Sequence, residues 1–334
     1  MSAFSEAHGF ADGLPNLDVL DRTLRRLAES DPTVRVLTAD SRISGRLEPF
    51  ARQFPEYVVE IGIAEQNLVG VAAGMAACGR KPFVISPACF LTARSLEQVK
   101  VDVGYCANPV RLIGISGGIS YGPLGATHHS ISDYASLRAI PGITVIAPAD
   151  NCETQLALEY AAAADEPVYI RLGKRPLECV HGDLPAVPSI TEPAQLRTGE
   201  DVVLFSTGET VGVCLQAADL LQAQGVGASV VSIPTIRPLD EAGLVRLSAA
   251  HRAVVVAEEH SVHGGLGEAI GRVLLTAGTS CRFAALGIPD EPIVNGSQLD
   301  VLAHYGISAH GLAQRSRSLL GLGSLDDATA LAHV

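Results

Sequence analysis

The stretch whose reading decides the fold is Glu60-Ile61-Gly62-Ile63-Ala64-Glu65-Gln66-Asn67. A β-rich run, Tyr57-Val58-Val59-Glu60-Ile61, ends at Gly62, and an apolar, small-residue helix from Leu68 to Cys78 follows. A carboxylate near a helix N-terminus is favoured by the dipole, so Glu65 taken alone fits an ordinary surface position. Val69-Gly70-Val71-Ala72-Ala73-Gly74-Met75-Ala76-Ala77, however, has no polar face, which predicts a helix buried on all sides. Glu65 then stands at the mouth of a buried element, where a carboxylate needs a compensating partner or must keep its proton.

Outward from this stretch, strand-like runs alternate with helical patterns. Val34–Leu37, Tyr57–Glu60, Pro82–Ile85, Val110–Ile115, Thr144–Ile146 and Val168–Ile170 form one block, with helices such as Cys152–Ala164 between them. A second block repeats the alternation with strands at Val202–Ser206, Ala228–Ile233, Ala253–Glu258 and Cys281–Leu286, and helices at Thr210–Gln224, Gln298–His304 and Ser308–Leu320. Such alternation predicts an α/β protein of two mostly parallel sheets, each covered on both faces. Residues 173–199 hold four prolines and little periodicity, so the domains are set at 1–175 and 200–322 with a linker at 176–199. Residues 1–14 and the tail after Leu322 are expected to be mobile.

Bulk composition narrows the function. The 334-residue chain is 47% hydrophobic and 18% charged, enough for a large core and against disorder. A net charge of −12 disfavours nucleic acid or anionic membrane as partner. The N-terminal segment lacks the basic and apolar regions of a secretory signal. The seven cysteines form no Cys-x-x-Cys pair. They read as small buried hydrophobes of a reducing, cytoplasmic environment rather than as zinc ligands or a redox dithiol.

Two further segments carry candidate chemistry. The loop Ser116-Gly117-Gly118-Ile119-Ser120-Tyr121-Gly122-Pro123-Leu124-Gly125-Ala126-Thr127-His128-His129 follows a strand, where parallel sheets place their ligands. Its glycines allow close backbone approach. The adjacent histidines point apart on most backbones, so one is free for a ligand while the other packs; a mobile surface loop is the alternative. Gly264-Gly265-Leu266-Gly267-Glu268-Ala269-Ile270-Gly271 is spaced Gly-x-Gly-x-x-x-Gly. That departs from the dinucleotide fingerprint, and close packing of a helix N-terminus is the favoured reading.

Together with Leu137-Arg138-Ala139-Ile140-Pro141, Ala147-Pro148-Ala149-Asp150 and Glu258-Glu259-His260-Ser261-Val262-His263, these segments resemble, in order and spacing, the C-terminal two-thirds of transketolases and 1-deoxyxylulose 5-phosphate synthases. The resemblance runs from about Asp18 to Gly311. It implies a pyrimidine-binding domain, the family's C-terminal domain and thiamine diphosphate as cofactor. It implies that Glu65 bonds the aminopyrimidine N1′, that Phe90 stacks on the pyrimidine, that Asp40 lies close to the cofactor, and that His128 contacts the donor sugar. Lys174 corresponds to a phosphate-binding arginine, Arg171 fits the synthase pattern, and Arg22 and Ser44 match two further substrate contacts. Leu124 and Ser116 stand where transketolases carry an acidic residue and a histidine, which points to altered acceptor recognition.

The Gly-Asp-Gly motif that binds diphosphate and Mg²⁺ in the family does not occur, the one Gly-Asp pair being Gly182-Asp183. The resemblance therefore implies the small subunit of a split transketolase. A separate chain would supply the diphosphate and Mg²⁺ site, in a heterotetramer of two copies each. The expected reaction moves a two-carbon ketol unit from a ketose, or ketose phosphate, to an aldose. A synthase-like carboligase and a non-catalytic regulatory subunit are the alternatives.

Overall fold

The computed structural model describes residues 13–182, 189–323 and 325. The expected mobility of residues 1–12 and of the extreme tail, and Asp183 of the Gly-Asp pair, lie outside them. The strands are β1 (Leu14–Pro15), β2 (Val34–Thr38), β3 (Val58–Glu60), β4 (Lys81–Pro87), β5 (Arg111–Ile115), β6 (Thr144–Ile146), β7 (Val168–Leu172), β8 (Pro176–Leu177), β9 (Ala194–Arg197), β10 (Val202–Ser206), β11 (Ala228–Ser232), β12 (Thr235–Arg237), β13 (Ala253–Ser261) and β14 (Arg282–Ile288).

One sheet has the order β12-β6-β7-β5-β4-β2-β3, the other β14-β13-β10-β11-β9. Within these two sheets pairings are parallel except for β12 on β6 and β9 on β11. All five residues of β5, β7, β10 and β11 are buried, as expected of strands covered on both faces.

Two details depart from the sequence reading. Gly13 and Leu14 are tied down, because β1 pairs antiparallel with β8 and the Gly13 N–H donates to Leu177 O. The expected linker is also partly built into the fold, since β9 joins the second sheet.

The order of the first sheet places the site. The chain runs from β2 outward to β3, then returns to the other side of β2 for β4 and β5. That reversal is a topological switch point, beyond which parallel sheets place their ligands at the carboxyl ends of the strands. The segments that follow β3, β4 and β5 carry Glu65, Phe90 and the glycine-rich loop respectively.

The helix Glu65–Ala77 corrects an expectation. Leu68, Val69, Ala72, Ala73 and Ala76 are buried against the sheet, but Gln66, Asn67, Gly74 and Ala77 are exposed in this chain. Only the face toward the sheet is covered. Beyond Gln66 and Asn67 the opposite face is made of small residues: a Cβ added at Gly74 would meet no atom within 4 Å outside its own helix, and Ile63 (74% exposed) and Tyr105 (86% exposed) are among the uncovered side chains nearby in sequence or packing.

The two sheets share an apolar cluster in which Val84, Leu112 and Leu137 of the first half meet Phe205, Val231 and Val256 of the second. Beside it lies a polar seam. Arg171 is 6% exposed; its Nη2 donates to the Glu259 carbonyl at 2.6 Å, and Nε lies 3.5 Å from Asp133 Oδ2. Its guanidinium covers the Tyr134 ring at 4.5 Å, and Tyr134 stacks on His260 at 4.8 Å. Glu259 Oε1 accepts from the Ile119 N–H and from Gln298 Nε2, whose amide also donates to Glu209.

Burial first, and then the charge of Glu209, push the Glu259 carboxyl up to about 7. Burial likewise pushes Glu258 up to about 7 and the His260 imidazole down to about 4. A raised carboxyl means that the folded chain holds more protons than the unfolded one between pH 4.5 and 7. Stability therefore falls as pH rises through that window. His260 opposes this, losing stability as pH falls from 6.5 toward 4. We expect Glu259→Gln to match the parent near pH 4.5 and to melt higher at pH 8. Thermal unfolding across pH checks this, and an equal or lower midpoint at pH 8 refutes it.

Candidate active site

Glu65 is the first residue of its helix and is 1% exposed. Its Oε2 accepts from Arg94 Nη1 at 2.5 Å. The buried carboxylate thus has a compensating partner, one of the two outcomes that its burial required. Arg94 closes the short helix Ala88–Ala93, which begins directly after β4, and lies four residues beyond Phe90. That spacing places both on one side of the helix, and the guanidinium lies 4.5 Å over the Phe90 ring. A flat group bearing N–H donors therefore already fits between Phe90 and Glu65.

His128 meets Phe90 edge-on at 5.3 Å and Tyr121 at 5.1 Å. Its Nδ1 lies 2.9 Å from Thr127 Oγ1. His129 turns away, 7% exposed, and its Nε2 donates to the Gly122 carbonyl at 2.9 Å. The two histidines divide as their adjacency implied: one faces the cluster and one fastens the loop. Lys174 Nζ lies 3.9 Å from the Tyr121 ring centroid. Burial, with Arg46 nearby, lowers the titration of its ammonium. Glu65, Arg94, Phe90, His128, Tyr121 and Lys174 thus form one continuous line.

Other expected residues stand apart from that line. Asp40 is exposed at φ 52°, and its N–H donates to Glu60 Oε1 at 2.7 Å. The same oxygen accepts from Gly62 N at 2.9 Å, so Glu60 fixes the turns after both β2 and β3. Ser44 Oγ donates to the Ser41 carbonyl, and Arg22 lies on the exposed side of the helix Asn16–Ser30. Leu124 is 56% exposed on the loop, whereas Ser116 is fully buried at φ 56°.

Arg171 departs most from expectation as a phosphate contact. Its guanidinium is engaged by the Glu259 carbonyl, Asp133 and the Tyr134 ring. Gly117 and Gly118 press against it so closely that a Cβ on either would lie 2.2 and 2.3 Å from its nitrogens. Burial seals this cation into the seam: Nη2 and Nε face the Glu259 carbonyl and Asp133, and Nη1 is buried there with no hydrogen-bond partner.

Arg94, Tyr121, Glu60 and Arg46 escaped the sequence reading. The spacing of Arg94 from Phe90 was a usable signal. Tyr121, an aromatic inside a glycine loop, was a weaker one. The run Gly114-Ile115-Ser116-Gly117-Gly118 also has the Gly-x-Ser-x-Gly spacing of a nucleophile elbow. Ser116 is buried without a hydrogen-bonded histidine, so the strained turn serves the loop and presents no nucleophile.

The glycine run at 264–267 is accounted for by packing. Glu258 Oε2 and Oε1 accept from the N–H groups of Leu266 and Gly267 at 2.6 and 2.9 Å. A Cβ on Gly265 would lie 2.1 Å from that carboxylate. A buried glutamate thus occupies the helix N-terminus that a nucleotide would need. Among the described residues, no group of three His, Cys, Asp or Glu side chains is placed to hold a metal ion. No helix among them is long and apolar enough to cross a membrane.

Residues 14–178 match the transketolase pyrimidine-binding domain and residues 193–312 the transketolase C-terminal domain. The chain is 39% identical over 292 residues to an apulose-4-phosphate transketolase subunit from Phocaeicola vulgatus, covering 87% of this chain and 93% of that protein. It is 36% identical over 303 residues to 1-deoxy-D-xylulose-5-phosphate synthase of Heliobacterium modesticaldum, spanning 90% of this chain but 46% of the synthase. Among solved structures, a split-gene transketolase described as an inactive β4 tetramer superposes with a TM-score of 0.84. It shows 33% identity over 93% of this chain and 99% of that one.

Proposed function

This chain belongs to the transketolase family, and from that premise we propose that it is the pyrimidine-binding half of a two-subunit transketolase. The observation that carries the reading is the slot between Glu65 and Phe90. It holds a planar, donor-bearing group against an aromatic ring and a 1%-exposed carboxylate, with His128 at its rim. The aminopyrimidine of thiamine diphosphate has that shape and donor pattern. When bound, this cofactor supplies the stabilised carbanion that two-carbon transfer requires.

The chain's own contribution is to bind and orient. Glu65 holds or moves a proton at the pyrimidine N1′, and Phe90 supports the ring face. His128 bonds the donor sugar's hydroxyls at the carbonyl end, and Lys174, set behind Tyr121, takes a substrate phosphate. Asp40 lines the cofactor approach, and Ser116, Leu124, Arg22 and Ser44 shape the acceptor side. Arg171 is reassigned to the interdomain seam.

The diphosphate and its Mg²⁺ fall to a separately encoded partner, in an assembly of two copies of each chain. The uncovered small-residue face of the helix Glu65–Ala77, with Ile63 beside it, supports assembly there, since contiguous exposed apolar surface marks interaction sites.

Co-purification tests the whole reading. We expect the chain to bring down a partner carrying Gly-Asp-Gly, and the complex to transfer a ketol unit only when thiamine diphosphate and Mg²⁺ are supplied. Release of CO₂ from pyruvate by the complex would instead indicate a synthase-like carboligase. Tight binding of cofactor and Mg²⁺ by the isolated chain would overturn the split site.

A further inference from the structure

The position of Arg94 bears on how the cofactor enters, provided that the slot between Glu65 and Phe90 is the pyrimidine site proposed for it. Its guanidinium makes the two contacts that define that slot: a 2.5 Å hydrogen bond to Glu65 and a 4.5 Å stack over Phe90. A guanidinium is planar and presents N–H donors at a fixed edge, as an aminopyrimidine does. On the proposed reading both groups need the Phe90 ring and the Glu65 carboxylate that Arg94 now occupies. They exclude each other.

The exchange also reverses the role of Glu65. Arginine only donates hydrogen bonds, so opposite Arg94 the carboxylate is an acceptor. Opposite a ring nitrogen lone pair Glu65 must donate, so the carboxylate takes up one proton from solvent as the arginine leaves. The side chains are unequally placed for this swap. The Arg94 side chain is 39% exposed and that of Glu65 only 2%, so Arg94 can swing into solvent and be hydrated there, whereas the buried Glu65 needs a new partner. The ring supplies one.

We propose that Arg94 is a built-in competitor for the pyrimidine slot. It keeps Glu65 compensated and Phe90 covered until the cofactor ring replaces it. Its cost is a lower apparent affinity, because only the fraction of molecules with Arg94 turned out binds.

The test is a calorimetric titration of thiamine diphosphate, with Mg²⁺ present, into the co-purified complex. Arg94→Met removes the donors and the planar cation but keeps an apolar chain of similar reach. We expect the dissociation constant to fall about tenfold. Arg94→Lys, which retains charge without a stacking plane, should lie between the variant and the parent. A residue that merely supports the site would give the opposite sign, since its removal would loosen binding; unchanged or weaker binding by Arg94→Met overturns the proposal. If that variant fails to assemble, Arg94→Gln replaces it with the same expected direction. Failure of the parent complex to bind thiamine diphosphate at all would count against the functional reading, and so is distinguishable from a failure of the Arg94 inference.

Discussion

Glu65→Gln is expected to reduce ketol transfer by the assembled complex by about 10²–10⁴-fold, the range typical of removing a positioned acid–base group. The substitution is nearly isosteric, and its amide oxygen still accepts from Arg94, which now pairs with Glu65 at 2.5 Å. Folding and assembly should therefore be retained, as circular dichroism and co-purification would show. What is lost is a side chain able to hand a proton to a ring nitrogen and take it back. Retention of near-parental turnover would remove Glu65 from the centre of the proposal. A variant that turns over slowly while still binding thiamine diphosphate would locate the defect in proton handling rather than in cofactor capture.

Arg171→Met is expected to produce the largest loss of stability, about 3–5 kcal/mol, the usual consequence of removing one partner from a buried ion pair. Asp133, 0% exposed, would lose its cation, while the Glu259 carbonyl and the Tyr134 ring would lose their contacts with the guanidinium. Denaturant unfolding of the isolated chain reads this directly, through a lower transition midpoint. A phosphate-binding Arg171 predicts a different result: unchanged unfolding, with a higher KM for a phosphorylated sugar. Lys174 serves as the contrast, being partly exposed over Tyr121. Its loss should affect substrate use with little change in stability.

Much of this protein was readable along the chain. Runs such as Val202–Phe205 and Leu112–Ile115 are apolar without alternation, and that property identifies strands covered on both sides before any coordinates are considered. The segment after Gly62, the paired histidines and the glycine run at 264 were likewise visible, because each is a local pattern with a local cause. The expectation for the helix Glu65–Ala77 failed on one side only. Composition reports that a surface is apolar, but it does not report whether this chain or another covers it.

The sequence by itself determined the two-sheet architecture, the placing of Glu65 between a strand and an apolar helix, and the lack of a Gly-Asp-Gly motif. These depend on periodicity and on residues close together in the chain. The tertiary structure alone decided which cation meets which anion. Arg171 and Glu259 are 88 positions apart, and Glu65 and Arg94 are 29 apart. Long side chains such as arginine reach partners fixed by strand order rather than by spacing. Only the folded sheet could show that Arg171 is enclosed in the seam while Arg94 lies across Phe90.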